Sequence, residues 1–378
     1  MRPKEYRIKE LLREKGLDGA IVSSPENFHY VTGFGGHQHT VSRQPGFTLA
    51  VMRADDKVPT HLTTMDFEAA TFRIKAAGLN FVVDPYDTWV GLKTWDEIAH
   101  GAVVPDKTAM ESSMDKLVQF MKACDLANKK VGIELDYLPV PYYKSLTEKF
   151  PEAEFVDISD LFVYARSVKQ PDEIEMFRKL CRIADHGFTE VSKIAKIGVS
   201  ERELVQCFRE DVIKSGFCAP SSWSMFSTGP SSARLTLPGD GVVKDGDVVK
   251  FDAGVNAEFD FYTTDTSRAW IIGNGDPALL KLKDRLYEGQ RRMIAAAKPG
   301  LPINELYHTA YDYVKEMFPC YRRGHQGHSI SMGPATAEAP YINASETRPL
   351  EAGMILAMEV PCYIDGVNGF IIEGAVLS

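Results

Sequence analysis

The residues of this 378-residue chain best suited to chemistry are four acids that two chain reversals can pair, with histidines between them. In DVVKFDAGVNAEFDFYTTDTSRAW, apolar flanks, a polar middle and Gly254 near the bend predict a β-hairpin centred near Glu258 and Phe259, which sets Asp252 opposite Asp265. A carboxylate on a strand rich in Val and Phe costs several kcal/mol to bury alone, so a facing pair calls for a cation, a shared proton or a basic partner. The pattern recurs near the end of the chain, where MILAMEVPCYIDGVNGFIIEGAVL reverses at Asp365-Gly366 and brings Glu359 opposite Glu373. Between the two, RRGHQGHSISMG presents His325 and His328 from a backbone that Gly324 and Gly327 free to pass close to other groups. Two Asp, two Glu and one His make an oxygen-rich set with one imidazole. Such a set suits a pair of manganese, cobalt, iron or zinc ions better than calcium or a structural zinc. Carboxylates bridge two cations, and two cations share and acidify one water.

Each member has a plainer alternative. Arg268, a same-strand neighbour of Asp265, can neutralise it, and a loop histidine such as His325 is ordinarily satisfied locally. Glu359 is harder to explain away, since it follows ILAM and precedes Val360-Pro361, a setting that does not suit a solvated charge. His37 and His39, an isolated pair in a glycine-bearing stretch without a nearby acid, read as plain surface loop. The set, not any one residue, points to metal.

These residues need strands and turns to hold them, and the pattern of the chain supplies both. A first helix from about Lys4 to Lys15 ends at Gly16, and DGAIVSS follows as a buried strand. Further strands are expected at Phe47 to Arg53, Asn80 to Val83 and Lys130 to Leu135, with an amphipathic helix at Met114 to Ala127, so residues 1–163 read as an α/β domain. Near Val163 the pattern changes: ISDLFVYARSV reads as an extended apolar stretch that leads into a helix opened by Pro171 and Asp172. Ser200 and Glu203 form a capping box for a helix to about Ser215. Strands then dominate to Gly273, helices cover Pro277 to Ala297 and Ile303 to Met317, and strands return, which makes residues 164–378 an α+β domain. No internal repeat or low-complexity segment stands out.

Composition narrows the class. Hydrophobic residues are 44% and charged residues 25%, ordinary globular usage that excludes wholesale disorder, collagen-like repeats and coiled coil. The net charge of -9 and the lack of a basic run argue against nucleic acid or an anionic membrane as partner. Six scattered cysteines with no paired spacing do not suit a disulfide framework or a zinc ribbon and are expected to be buried thiols. A charged N-terminus without an apolar middle, and no long apolar stretch, lead to the expectation of a cytoplasmic protein.

The chain resembles the pita-bread metallohydrolases, the peptidase M24 group that holds Xaa-Pro dipeptidase, aminopeptidase P, methionine aminopeptidase and creatinase. PENFHYVTGF at Pro25 to Phe34 and ARSVKQPDEIEMFRK at Ala165 to Lys179 are similar to the creatinase-type N-terminal domain and its linker, and the remainder is similar to the pita-bread domain. By motif, Asp252 in FDAG, Asp265 in TTDTSR, His328 in GHSIS, Glu359 in LEAGMILAME and Glu373 in GFIIEG match the five ligand positions. The resemblance implies two divalent ions, manganese first, with Asp265 and Glu373 bridging, Asp252 on one ion, and His328 and Glu359 on the other. It implies Glu359 as the base that takes a proton from the bridging water and returns it to the leaving nitrogen. It also implies a homodimer, with a dipeptide or other small molecule as substrate.

The chain departs from the family outside the ligand set. The aspartates stand thirteen positions apart, two more than in the family peptidases, an even change that keeps both side chains on one strand face. No histidine lies between His186 and His308, where the peptidases carry one, and SSARLTLPGDG offers Arg234 instead. A second family histidine falls near Ala337 before Glu338, and a family arginine falls at Ile371. Candidates to replace the lost groups, by proximity in sequence, are His325, Tyr262 and Arg268. The chain stops five residues after Glu373, sooner than the family pattern, which reads as a shortened C-terminus. Outer groups choose substrate and steer protons. The leading expectation is therefore a dinuclear hydrolase of an amide or C–N bond, Xaa-Pro dipeptides first. The alternatives are a non-peptidase member similar to creatinase, ectoine hydrolase or the dimethylsulfoniopropionate lyases, and an inactive peptide-binding module.

Overall fold

The computed structural model describes residues 3–88, 93–103, 112–257, 260–333 and 336–378. The chain divides into two compact units, Met1–Ala165 and Arg166–Ser378.

In the first unit the helix Pro3–Glu14 is followed by Gly16 with a left-handed φ of 68°, a conformation that glycine takes without a Cβ clash. The chain then enters β1 (Gly19–Val22). Together with β2 (Leu49–Arg53), β3 (Thr60–Thr63), β4 (Phe81–Val83), β5 (Lys130–Ile133) and β6 (Glu154–Asp157) it builds a mixed sheet of order β4-β3-β2-β1-β5-β6. The strand β1 is antiparallel to β2 and parallel to β5. The helix Ser113–Ala123 supplies Leu117 and Phe120 to a core shared with Ile21, Val51, Val131 and Ile133.

The segment PENFHYVT is a helix, Pro25–Thr32, because the Ser24 side chain accepts from the Asn27 amide and proline occupies the first turn. Two local expectations in this unit need correction. His37 and His39 lie in a short helix, His37–Ser42, and His39 is fully buried, with Nε2 2.8 Å from the Ser23 carbonyl. They are not a plain surface loop. The stretch read as extended from Ile158 is the helix Ser159–Ser167, whose Leu161, Phe162 and Ala165 repeat at helical spacing and are buried.

The second unit opens with the helix Pro171–Ile194, which buries Phe177, Leu180, Ala184, Phe188 and Val191 as one stripe. Ser200 caps Glu201–Lys214 through the predicted box with Glu203. The strands β7 (Cys218–Pro220), β8 (Met225–Thr228), β9 (Val248–Ala253), β10 (Val255–Ala257) and β11 (Thr266–Ile271) form a β10-β7 pair and a β11-β9-β8 sheet. The strands β12 (Gly327–Ser329), β13 (Glu338–Tyr341), β14 (Ile355–Glu359) and β17 (Glu373–Leu377) form a sheet of order β13-β12-β14-β17, with β15 (Cys362–Ile364) and β16 (Asn368–Phe370) paired beyond it. The helices Pro277–Ala296 and Ile303–Met317 bury Leu282, Leu286, Leu306 and Ala310 in one core with Leu356 and Met358 of β14. This is the α+β organisation expected. All six cysteines are free thiols, but the expected burial holds for Cys124 and Cys218 alone, with Cys181, Cys207 and Cys362 half-buried and Cys320 exposed, and among the described residues no helix is long and apolar enough to cross a membrane.

Candidate metal centre

The strand β9 is buried along its whole length and hydrogen-bonded on both edges, so its side chains are fixed by two neighbours. Asp252 on it faces Ser267 of β11 and Met225 of β8. It does not face Asp265, as the sequence suggested. The register pairs Thr266 with Ala253, which leaves Asp265 one residue before β11 and diagonal to Asp252. The shift from the expected pairing is even, so both carboxylates keep to one face. The expected centre of the turn, Glu258 and Phe259, lies outside the described residues. Gly254 is required here, because a Cβ on it would lie 1.8 Å from the Thr264 carbonyl oxygen.

Glu359 and Glu373 stand directly opposite each other at the ends of β14 and β17. The reversal beyond them runs through Gly366 at φ 73°, in the Asp365-Gly366 turn. His328 sits in β12 beside β14, opposite Ala357, and the strands can close only because Gly327 has no Cβ to meet the Ala357 carbonyl oxygen at 1.9 Å. The His328 Nδ1 lies 3.0 Å from the Ser329 carbonyl, a contact that requires Nδ1–H, and Nε2 lies 3.4 Å from Asp265 Oδ2, where the protonated ring donates to the carboxylate and the neutral ring offers its lone pair to a cation.

Asp265, His328 and Glu373 each place one ligand atom within 4.8 Å of the other two, and all three are buried. Asp265 Oδ1 is buried without a hydrogen-bond partner. Burial, then the charges of Asp265 and Glu359, push the Asp252 and Glu373 carboxyls well above the usual carboxylate range. Burial raises Asp265 as well. Burial alone would lower His328, but its hydrogen bond to Asp265 and that residue's charge outweigh it and raise the imidazole. Acids held this close are relieved by a multivalent cation, and an oxygen-rich set with one imidazole fits a divalent ion of the manganese-to-zinc range. Asp252 and Glu359 lie outside the 4.8 Å group and bear on it through their charges, which both raise Glu373.

The outer groups are arranged differently from the sequence expectation. Arg268 does not neutralise Asp265: its Nη1 donates to the Glu373 main-chain oxygen at 2.8 Å and its Nη2 to Asp185 at 2.9 Å. Tyr262 donates to Glu173 at 2.8 Å. Of the three candidates His325 is the one that meets an acid of the set, with Nδ1 3.3 Å from Glu359 Oε1, and burial lowers its pKa. Arg323, which the sequence reading passed over, donates from Nη2 to the same Glu359 oxygen at 2.7 Å. Lys250, fully buried, was legible as a lysine two residues from Asp252 and hence on the same strand face. Burial pushes its ammonium down to about 8, and its Nζ donates to the Arg234 carbonyl at 2.9 Å. Ile371, at the family arginine position, is buried, and Glu338 is held by Arg166 at 2.6 Å.

The chain matches the family model for metallopeptidase family M24 over residues 175–377 and that for the creatinase/prolidase N-terminal domain over residues 6–168. An uncharacterized peptidase of Staphylococcus aureus (strain Mu50 / ATCC 700699) is 29% identical over 380 residues, covering 98% of this chain and 95% of the relative. An Xaa-Pro dipeptidase from Bacillus anthracis superposes with a TM-score of 0.80 at 23% identity, over 99% of this chain and 94% of that one. A prolidase from Pyrococcus furiosus does so at 0.75 and 24%, over 98% and 96%. Identities this low establish a shared fold, and the activity must be argued from the site.

Proposed function

Because this chain belongs to metallopeptidase family M24, we propose that it is a dinuclear metal-dependent hydrolase that cleaves the amide bond of a small substrate, Xaa-Pro dipeptides first. The observation that carries the reading is the convergence of Asp265, His328 and Glu373 on one buried point, with Glu359 directly opposite Glu373. In this proposal two ions, manganese before cobalt, zinc or iron, would be held by Asp265 and Glu373 in common, with Asp252 serving one and His328 and Glu359 the other. Such a pair, when bound, polarises the scissile carbonyl and acidifies a shared water. Glu359 would serve as the base that takes a proton from the attacking water and returns it to the leaving nitrogen. Arg323 and His325 both approach Oε1 of Glu359, which fixes the orientation of the carboxylate. His325 faces the same acid and is positioned to orient substrate. A homodimer in the cytoplasm completes the reading.

The test is metal content after chelator-free purification and after incubation with manganese, cobalt or zinc. About two equivalents per chain are expected from the two-ion reading, and Asp265→Ala should abolish uptake with little loss of fold. A chain that takes up no cation, or an Asp265→Ala variant with wild-type turnover, would overturn the proposal. A second reading, a non-peptidase member, is favoured by the buried Ile371 and by the Arg166–Glu338 pair at the outer positions. Under the preferred metal, a panel of Xaa-Pro dipeptides, creatine-like amides and sulfonium compounds separates the two.

A further inference from the structure

We propose that the cavity behind β14 is an effector site for a small apolar carboxylate, whose binding draws Arg323 away from Glu359. The inference goes beyond the hydrolase reading above and rests on it only for the role of Glu359. The cavity measures about 550 Å³, within the range of about 300–1,000 Å³ usual for small-molecule sites. Leu279, Leu282, Phe318 and Tyr321 wall it, with Arg322 and Arg323 at its polar side. None of Asp252, Asp265, His328, Glu359 and Glu373 lines it. Leu279 and Leu282 share a core with Leu356, Met358 and Val360, which alternate with Glu359 along the chain and so occupy the other face of β14. A molecule held there acts on Glu359 from behind, without meeting the ligand atoms of the metal centre.

Two sets of contacts join the wall to Glu359. Arg323 donates from Nη2 to Glu359 Oε1 at 2.7 Å and from Nε to the His325 carbonyl at 3.1 Å. The buried Tyr321 hydroxyl accepts from Gln326 Nε2 at 3.1 Å, and the Gln326 carbonyl accepts from the Glu359 amide at 3.0 Å. Charge selects the occupant. Arg323 is balanced by Glu359, and Asp365, also on the wall, stands 3.6 Å from Arg234. Arg322 is exposed and has no hydrogen bond or ion pair among the described residues. One uncompensated guanidinium beside an apolar cavity fits a single carboxylate on an aryl or branched alkyl tail. An anion held by Arg322 is a second acceptor for the adjacent Arg323, in competition with Glu359. A ligand that binds better once Arg323 has left Glu359 shifts that equilibrium, and removal of the Glu359 charge favours the ligand in turn.

The experiment follows 3-phenylpropionate and its amide on the full chain by calorimetry, metal-free and manganese-loaded. The exposed Cys320, which lines the cavity, gives a second readout through its rate of labelling by N-ethylmaleimide, mapped by peptide mass spectrometry. One equivalent of the acid is expected to bind metal-free wild type and Asp265→Ala alike, to slow Cys320 labelling, and to bind about tenfold tighter than the amide. Arg322→Met should remove that preference, and Leu279→Trp, which fills the cavity, should abolish binding, with cooperative unfolding as the check on fold. Glu359→Gln should tighten the acid about tenfold whether or not the chain takes up metal. No binding at millimolar acid, binding without protection of Cys320, a preference unchanged by Arg322→Met, or an affinity unchanged by Glu359→Gln overturns the inference. Binding that requires manganese places the carboxylate on the metal centre and overturns it as well. All of these leave the hydrolase reading intact. A chain that takes up no cation removes that reading, and the metal-free measurements still decide the effector site.

Discussion

His39 predicts a pH dependence of the first unit that can be worked through in full. Its ring is fully buried, edge-on to Phe28 with centroids 5.8 Å apart, and Nε2 lies 2.8 Å from the Ser23 carbonyl. That contact requires Nε2–H, so Nδ1 holds the lone pair and has no partner. Protonation would add a charge and an N–H with nowhere to donate. Burial pushes the imidazole from 6.5 down to about 4, against the Ser23 bond and the charge of Glu26, which raise it, while Arg43 lowers it further. For a base with a depressed pKa in the folded state, the unfolded chain takes up the proton first. Above pH 6.5 the group costs nothing; between 6.5 and about 4 stability falls by up to about 1.4 kcal/mol per pH unit, and below that the loss levels off near 3 kcal/mol. Hydrogen exchange of β1 and Pro25–Thr32 amides, followed from pH 7.5 to 4.5 with intrinsic rates divided out, reads the slope. His39→Gln keeps a donor without titrating and should flatten it. Equal slopes in wild type and variant would refute the reasoning.

Other consequences follow from particular contacts. Gly254→Ala sets a Cβ 1.8 Å from the Thr264 oxygen, so it should open the hairpin that holds Asp252 and Asp265 and lower metal uptake, measured by elemental analysis, with the first unit unaffected. Leu286→Ala removes a fully buried side chain from the core under β14 and should cost about 2–5 kcal/mol in chemical denaturation of the second unit. Ser200→Ala deletes an N-cap and should cost about 1 kcal/mol in the same assay, with metal content unchanged.

The sequence by itself determined the elements whose signals are local. Capping boxes, helical stripes and the Asp365-Gly366 turn are written within a few residues, so the long helices of the second unit and the Glu359–Glu373 pairing could be read directly. Alternation on β9 and β11 likewise fixed that Asp252 and Asp265 share a face, though not which residues they oppose. Where apolar residues were dense the local signal was ambiguous: the run from Ile158 suits a strand by composition, and the packing of Leu161, Phe162 and Ala165 makes it a helix. Contacts between remote segments were decided only by the tertiary structure. Arg323 reaches Glu359 across 36 positions, and Arg268 turns from Asp265 to the Glu373 carbonyl 105 positions away. His39 is buried against Phe28 instead of solvated. Residue type fixes what a guanidinium, carboxylate or imidazole can bond. Which group it meets depends on the packing of strands and helices distant in sequence, and no local pattern encodes that.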